Sequence, residues 1–452
     1  MSSRSRLAAT VFSLRERLTD IVAMVRGIPP VRWPRYEPPA DPVRGALGQQ
    51  AELERALRDN VLAFWLPRCV DDEHGGYATG FDRAGRPTRQ TSKGALPQCR
   101  MAWLFARAYG QRHAGPACLD AAGHGIRFVT ERLWDDRFGG FVWEVDARGE
   151  RIIRGKKHLV AQTYALFALS EYYLVTNDRE VLAFARRLFD LLEAKAHDDR
   201  WGGYLEFFEA DWTPAPPQEI GYLNEPAAAK LVNSHLHVLE AYTTFYRADP
   251  ERRDHVGKRL REVLRLLTDA AVRKEFGVCT DRFERDWRPR SGGAADRVSY
   301  GHNLESISMQ SDACAVLGEA NPVSLYESMF DYSLRYGYDA TRGAFFESGR
   351  LGRPADWRDL IWWVQAEALW SSMRMFELTR QGRYLDVFGR LWAFIRSAQI
   401  DWTHGEWHLR VRRNGRAAGD KATIWKCGYH NGRALMESIS ALRRLQPSAP
   451  VG

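Results

Sequence analysis

From about Leu47 onward, apolar residues recur every three or four positions, the spacing that gathers them on one side of an α-helix. Segments 102–109, 159–173, 181–194, 256–267 and 384–397 show it most clearly. Glycine-bearing turns interrupt the pattern: His74-Gly75-Gly76-Tyr77, Phe138-Gly139-Gly140-Phe141, Trp201-Gly202-Gly203-Tyr204, Phe276-Gly277-Val278, Arg342-Gly343-Ala344-Phe345 and His404-Gly405-Glu406-Trp407. The first glycines stand 64, 63, 75, 66 and 62 residues apart. A unit of that length holds two helices and their connections, more than the roughly 20–50 residues of a solenoid repeat. The spacing predicts six helical hairpins closed into a ring of twelve helices, the inner ones around an axial cavity. Aromatic stretches with period-2 alternation, such as Phe141-Val142-Trp143-Glu144-Val145 and Tyr204-Leu205-Glu206-Phe207, predict small hairpin strands at one rim. The longer third interval contains Pro214, Pro216, Pro217 and Gly221 within residues 212–224. That stretch reads as a long loop, either a lid over the cavity mouth or an inert surface segment.

In such a ring, one position of each repeat points to the same place. Arg100, His302 and His430 each lie 25 residues after the first glycine of their turns, Glu367 lies 24 after, and His237 lies 35 after in the longer third repeat. In the second repeat the corresponding place falls near Val160. Five of six repeats thus set an ionisable residue at similar depth on an apolar helix. Each would cost desolvation unless paired, so a shared polar cavity is the simplest account; the alternative is a set of unrelated, individually satisfied side chains.

Length and composition adjust this picture little. A chain of 452 residues suggests two or three domains by size, but a closed ring counts as one, here residues 46–448. Sixteen Trp and 12% aromatic residues suit a sugar-stacking surface as well as a large core. Six scattered Cys without a CxxC pair read as the reduced thiols of a cytoplasmic protein. Residues 1–35 carry +5 of the net +8 charge. The body is nearly balanced, which argues against a nucleic-acid partner. The sequence contains no run long and apolar enough for a transmembrane helix.

Ahead of the ring, Leu7, Val11, Leu14, Leu18, Ile21 and Val25 form one helical stripe, and Gly27 with Pro29-Pro30 ends it. Residues 28–42 read as a Pro-rich linker, so residues 1–45 form a basic amphipathic helix plus linker. Three readings fit the stripe over residues 7–26: docking on the barrel or a second subunit, weak association with an anionic membrane surface, and a frayed tail.

His302 and Glu305 are three apart and share a helix face, as do His237 and Glu240. A carboxylate beside an imidazole fixes its tautomer and raises its basicity, as a general base requires. His235, two residues from His237, points elsewhere. With no HExxH, CxxC or acidic cluster, no metal and no cofactor is expected. Two imidazoles on opposite sides of a carbon suit removal of a proton α to a carbonyl and its return from the other face, with Arg100 beside the developing negative charge.

The strings Asn233-Ser234-His235-Leu236-His237-Val238-Leu239-Glu240, Gly301-His302-Asn303-Leu304-Glu305, Trp362-Trp363-Val364-Gln365-Ala366-Glu367 and Trp425-Lys426-Cys427-Gly428-Tyr429-His430-Asn431-Gly432-Arg433 resemble the motifs of the N-acylglucosamine 2-epimerase superfamily, its cellobiose 2-epimerase branch in particular. The likeness spans residues 50–445. It implies a mainly α fold, an (α/α)6 barrel with short β-hairpins at one rim. It implies 2-epimerisation or aldose–ketose isomerisation of a reducing-end mono- or disaccharide through a cis-enediol. His302 and His430 would then be the acid/base pair, with His237 as a third catalytic histidine, and Arg100, Asn233, Glu305, Trp363, Glu367 and Trp425 would bind and open the sugar. Two positions depart from the family pattern: Val160 stands where a Tyr is usual and Ser308 where a Trp is usual, both changes removing aromatic surface near the expected sugar.

Two rivals remain at this stage. A glycoside hydrolase on the same kind of barrel would use two carboxylates, with Glu305 and Glu367 as its candidates. A carbohydrate-binding protein would keep the tryptophans and need not keep three histidines.

Overall fold

The computed structural model describes residues 36–293 and 295–446. Among the described residues, twelve helices form two concentric layers, with the short helix Pro42–Gly48 ahead of them. In chain order they are α1 (the consecutive segments Gln50–Arg55, Ala56–Leu62 and Ala63–Cys69), α2 (Ala95–Gly110), α3 (Pro116–Phe128), α4 (Leu159–Thr176), α5 (Arg179–Lys195), α6 (Val232–Ala248), α7 (Arg253–Arg265), α8 (Tyr300–Leu317), α9 (Val323–Gly337), α10 (Trp362–Thr379), α11 (Gly382–Phe394) and α12 (Tyr429–Leu445). Even-numbered helices are the inner ring. Composition decides the layer: every residue of α4 from Leu159 to Glu171 is buried, whereas α7 buries only Val256, Gly257, Leu260, Val263 and Leu264, the single stripe of an outer helix. The ring closes where α12 meets α2; a Cβ at Gly432 would lie 2.4 Å from Leu104 Cδ1, so the Leu104 side chain seats directly against the α12 backbone at that glycine.

The second glycine of the first three turns has a mechanical reason. An amide on the inner helix clamps the residue after each turn: Gln98 accepts from the Tyr77 N–H at 2.8 Å and donates to its carbonyl at 2.7 Å. Gln162 does the same to Phe141, Asn303 to Cys279 and Gln365 to Phe345; in the third repeat His235 accepts from the Tyr204 N–H. Gly76 has φ +68°, and a Cβ there would stand 2.6 Å from Gln98 Oε1. In the sixth repeat Glu406 replaces the second glycine at φ +61°, and its carboxylate itself takes hydrogen bonds from Asn431, Lys426 and Trp65. Replacing Gly76 by alanine is expected to cost about 1–3 kcal/mol, from left-handed strain and loss of the clamp, read as a lower urea midpoint at unchanged slope.

The strands do more than form hairpins. Glu144–Val145 pairs with Ile152–Arg154 of its own repeat and with Lys93–Gly94 of the preceding one. Phe207–Phe208 pairs backward with Lys157–His158, Arg282–Phe283 with Lys230–Leu231, Ser348–Arg350 with Arg297–Ser299, and Arg410–Val411 with Leu360–Ile361. A bridge between Phe81 and Ala422 completes the circuit. These staples gather the N-terminal ends of the inner helices at one rim and thereby define the mouth.

The basic stripe of residues 7–26 lies outside the described residues. Helical structure begins inside the expected linker, at Pro42–Gly48, where Asp41 caps the first turn. The linker's end packs on α11: the Arg390 guanidinium lies over the Tyr36 ring. Among the described residues, no helix is long and apolar enough to cross a membrane.

Candidate active site

The amide clamps fix a common register, and two residues beyond each clamp the inner helix faces the axis. That rule places Arg100, Tyr164, His237, Glu305, Glu367 and Arg433 in one layer. It corrects the sequence reading twice. The second repeat contributes Tyr164, 25 residues after Gly139, and not Val160, which sits one turn nearer the mouth. His302 and His430 are not level with Arg100 and His237 either; each lies three residues before its layer residue, one turn closer to the mouth.

Arg433 is the electrostatic centre. One guanidinium nitrogen donates to Glu305 at 2.8 Å and to Glu367 at 2.7 Å, and the other contacts Glu240 and the Tyr429 hydroxyl. Three carboxylates around one buried cation leave surplus negative charge, which low dielectric penalises. Burial accordingly pushes the Glu367 carboxyl up, against the pull of Arg433. Ligand atoms of Glu305, Glu367 and His430 lie within 4.8 Å of one another, close enough to hold a metal ion, but the Arg433 nitrogen already binds both carboxylates where such an ion would sit.

The three histidines differ in surroundings. His302 Nδ1 bonds Asp281 at 2.8 Å. Burial would lower its imidazole, but the Asp281 carboxylate outweighs it and raises His302 to about 9. Glu305, expected to be its partner from the i,i+3 spacing, is committed to Arg433 instead. His430 Nδ1 bonds Glu367 at 2.6 Å, and burial with the nearby cations Arg100 and Arg433 holds His430 well below the usual imidazole range. Trp363 lies between these two, its ring 5.0 Å from that of His302 and 5.8 Å from that of His430. Neither Nε2 is bonded to a described protein atom. His237 is different: Nδ1 bonds Glu240 at 3.2 Å and Nε2 takes the Tyr164 hydroxyl at 2.8 Å, and burial lowers it despite Glu240.

Toward the mouth, Arg100 donates to the Tyr164 oxygen and to the Trp425 carbonyl. Trp425 is 39% exposed, and Asn233 sits on the first turn of α6 one turn above His237. The loop over residues 212–224 lays Tyr222 against Trp143 and Phe207, and Lys156 ties it down through Glu219; it borders the mouth. Ser308 is fully buried, one turn deeper than Glu305.

Four participants escaped the sequence reading: Tyr164, Asp281, Arg433 and Tyr429. Arg433 follows His430 at the i+3 spacing already noted for His302 and Glu305. Asp281 stands two residues after the clamped Cys279, the place taken by Glu206 and Glu347 in the neighbouring repeats, so a rim acid at that offset was a readable signal.

Comparison with known proteins agrees with this architecture. A cellobiose 2-epimerase from Bacteroides fragilis is 30% identical over 394 residues, covering 86% of this chain and 98% of that protein. The solved cellobiose 2-epimerase of Spirochaeta thermophila superposes with a TM-score of 0.81 at 32% identity, over 90% of this chain and 99% of that one. A D-mannose isomerase from Marinomonas mediterranea is 23% identical over 85% of this chain and 95% of its own length. Fold, site and relatives together define a carbohydrate epimerase or isomerase. The chain belongs to the N-acylglucosamine 2-epimerase (GlcNAc 2-epimerase) family, whose sequence profile matches residues 75–434.

Proposed function

We propose that this enzyme interconverts a reducing-end aldose with its C2 epimer or its ketose, with His302 and His430 as the acid/base pair. The observation that carries this is the pair itself. Two imidazoles flank Trp363, each with Nδ1 anchored on a carboxylate and Nε2 free, and their environments push their proton affinities apart. Such a split assigns the roles: near neutrality His302 is the imidazolium and acid, and His430 is the neutral base.

In the opened sugar, His430 Nε2 takes the C2 proton. The C–H electron pair forms the C1–C2 double bond, and the carbonyl pair moves onto O1, where Arg100 stabilises the charge. The His302 Nε2 proton then goes to the opposite face of C2, O1 reforming the carbonyl and giving the epimer; if the O2 proton has first passed to O1, so that the charge stands on O2, the proton goes to C1 instead and gives the ketose. Trp363 and Trp425 offer stacking surfaces to the sugar, and Asn233 a polar contact. Glu367 orients His430, and Glu305 holds Arg433 in place. His237, with both nitrogens committed, acts through Tyr164 and Glu240 as a positioning residue and does not itself abstract the proton.

The chemistry uses protein groups alone and requires no metal. Six free, buried cysteines suit a reducing compartment such as the cytoplasm. By analogy with the relatives, cellobiose-like disaccharides and mannose are the first substrates to test. Chromatography of products from each distinguishes outcomes: a C2 epimer or a ketose supports the proposal, and hydrolysis to free monosaccharides overturns it. A hydrolytic role for Glu305 and Glu367 is disfavoured because both bind one Arg433 nitrogen in a buried cluster, where a scissile bond has no room between them.

Asp281→Asn removes the charge that holds His302 protonated, leaving burial to dominate. The alkaline limb of kcat/KM, expected near pH 9 in the wild type, should move down by about 1–3 units, while the acidic limb, set by His430 with Glu367, stays. A pH profile of both proteins checks this.

A further inference from the structure

Where the end of outer helix α9 meets the rim turns of the fifth and sixth repeats, a groove of about 340 Å³ is lined by Arg335, Arg342, Arg358, Arg413 and Asp339. The sugar chemistry uses none of these residues. Four guanidiniums face one carboxylate, a local excess of +3. The described residues as a whole carry no more than that, since residues 1–35 hold +5 of the chain's net +8. Like charges gathered at this density repel one another, and an anion seated among them would relieve the repulsion. The acids nearby are already taken. Asp339 is held by Arg342, Asp356 pairs with Arg297 at 2.6 Å, and Asp359 pairs with Arg410 at 3.1 Å. Arg335, Arg358 and Arg413 are exposed, and among the described residues none of the three has a carboxylate partner.

The guanidiniums are held in place. Arg358 donates Nε to the Ala355 carbonyl at 2.8 Å and lies 5.8 Å from the centre of the Phe346 ring. Arg335 lies 5.1 Å over the Tyr336 ring. Arg342 is fixed by Asp339 on one side and by the Arg413 carbonyl, at 2.6 Å, on the other. That last bond joins the turn of the fifth repeat to the hairpin of the sixth and so brings Arg413 to the groove. A guanidinium anchored at Nε or on a ring face presents its outer N–H groups as a fixed fork, the geometry that grips two oxygens of one anion. We infer that this groove binds a phosphate group, free or carried by a small sugar. A phosphomonoester carries about −1.5 to −2 charge near pH 7, closer to the local excess than the single charge of a carboxylate. The volume falls within the roughly 300–1,000 Å³ of small-molecule sites, so a monosaccharide-sized body fits beside the phosphate. Binding here is independent of the reaction proposed above.

Calorimetric titration with inorganic phosphate, glucose 6-phosphate and glucose tests the site. The wild type should bind one equivalent of a phosphate probe. The double variant Arg358→Gln/Arg413→Gln changes two exposed side chains, so it should unfold at the wild-type midpoint. It should lose about tenfold or more in affinity for the phosphate probe, the worth of at least one charge-assisted hydrogen bond. Glucose, the control for the sugar site, should behave identically with both proteins. Tighter binding of glucose 6-phosphate than of inorganic phosphate assigns the groove to a sugar phosphate, and equal affinities assign it to free phosphate. Absence of phosphate binding by the wild type at low ionic strength overturns the inference. Binding that the double variant keeps in full overturns it too, because the anion then sits elsewhere, as beside Arg100.

Discussion

Alanine at His302 or at His430 is expected to lower kcat by about 10²–10⁴-fold, the usual contribution of a positioned general acid or base, while the protein stays folded and still binds sugar. The two variants should fail differently. His430→Ala removes the base, so no C2 proton leaves and no deuterium enters substrate recovered from D2O. His302→Ala keeps the base, so deprotonation and return on the original face continue: recovered substrate gains deuterium at C2 while epimer and ketose do not accumulate. NMR of recovered sugar reads both outcomes in one experiment. Identical behaviour of the two variants would remove the assignment of separate roles, which rests on the contrast between Asp281 beside His302 and the cations beside His430.

The second large effect concerns stability. Arg433 is 2% exposed and is shared by Glu240, Glu305 and Glu367. Arg433→Met keeps much of the volume and removes the charge. Breaking a buried ion pair by deleting one partner typically costs about 3–5 kcal/mol, and here three carboxylates lose one cation. The variant's loss should also depend on pH in a definite direction. Without Arg433 the buried carboxyls have folded-state pKa values raised above those of the unfolded chain. The folded state then binds more protons, so stability falls as pH rises and is regained as pH drops into the carboxyl range. Urea unfolding at pH 5 and pH 8 should show the larger deficit at pH 8. A deficit independent of pH would mean that lost packing, and not unpaired charge, dominates.

The ring was legible in the sequence because one turn recurs. The first glycine of each turn stands at positive φ, two residues before the residue that the inner helix grips in five of the six repeats, and the turn returns at intervals of 62–75 residues. The inner helices were legible for a separate reason: segments such as 159–171 are apolar or small on most positions, Gln162, Tyr164 and Glu171 apart, as a helix wrapped by neighbours must be. The register of the site was less legible. Distance from the turn varies with insertions, and only the clamps (Gln98, Gln162, His235, Asn303 and Gln365, with Asn431 gripping Glu406) show which residue faces the axis. Counting without them set His302 level with His237 and overlooked Tyr164. Partners that arrive from another strand or repeat leave no local trace, and this is why Glu305 seemed to serve His302 when Asp281 does. The opposite proton affinities of His302 and His430 were out of reach from sequence, because they come from burial and from neighbours up to a hundred or more residues away.

Incubation of the wild-type enzyme in D2O with glucose, mannose, N-acetylglucosamine, cellobiose and mannobiose, followed by proton NMR, tests proton transfer at C2 most directly. The account predicts loss of the C2 proton signal in at least one sugar, in step with growth of its epimer or ketose. Product that forms with its C2 protium fully retained and unshared with solvent, or release of new reducing ends without exchange, would contradict it.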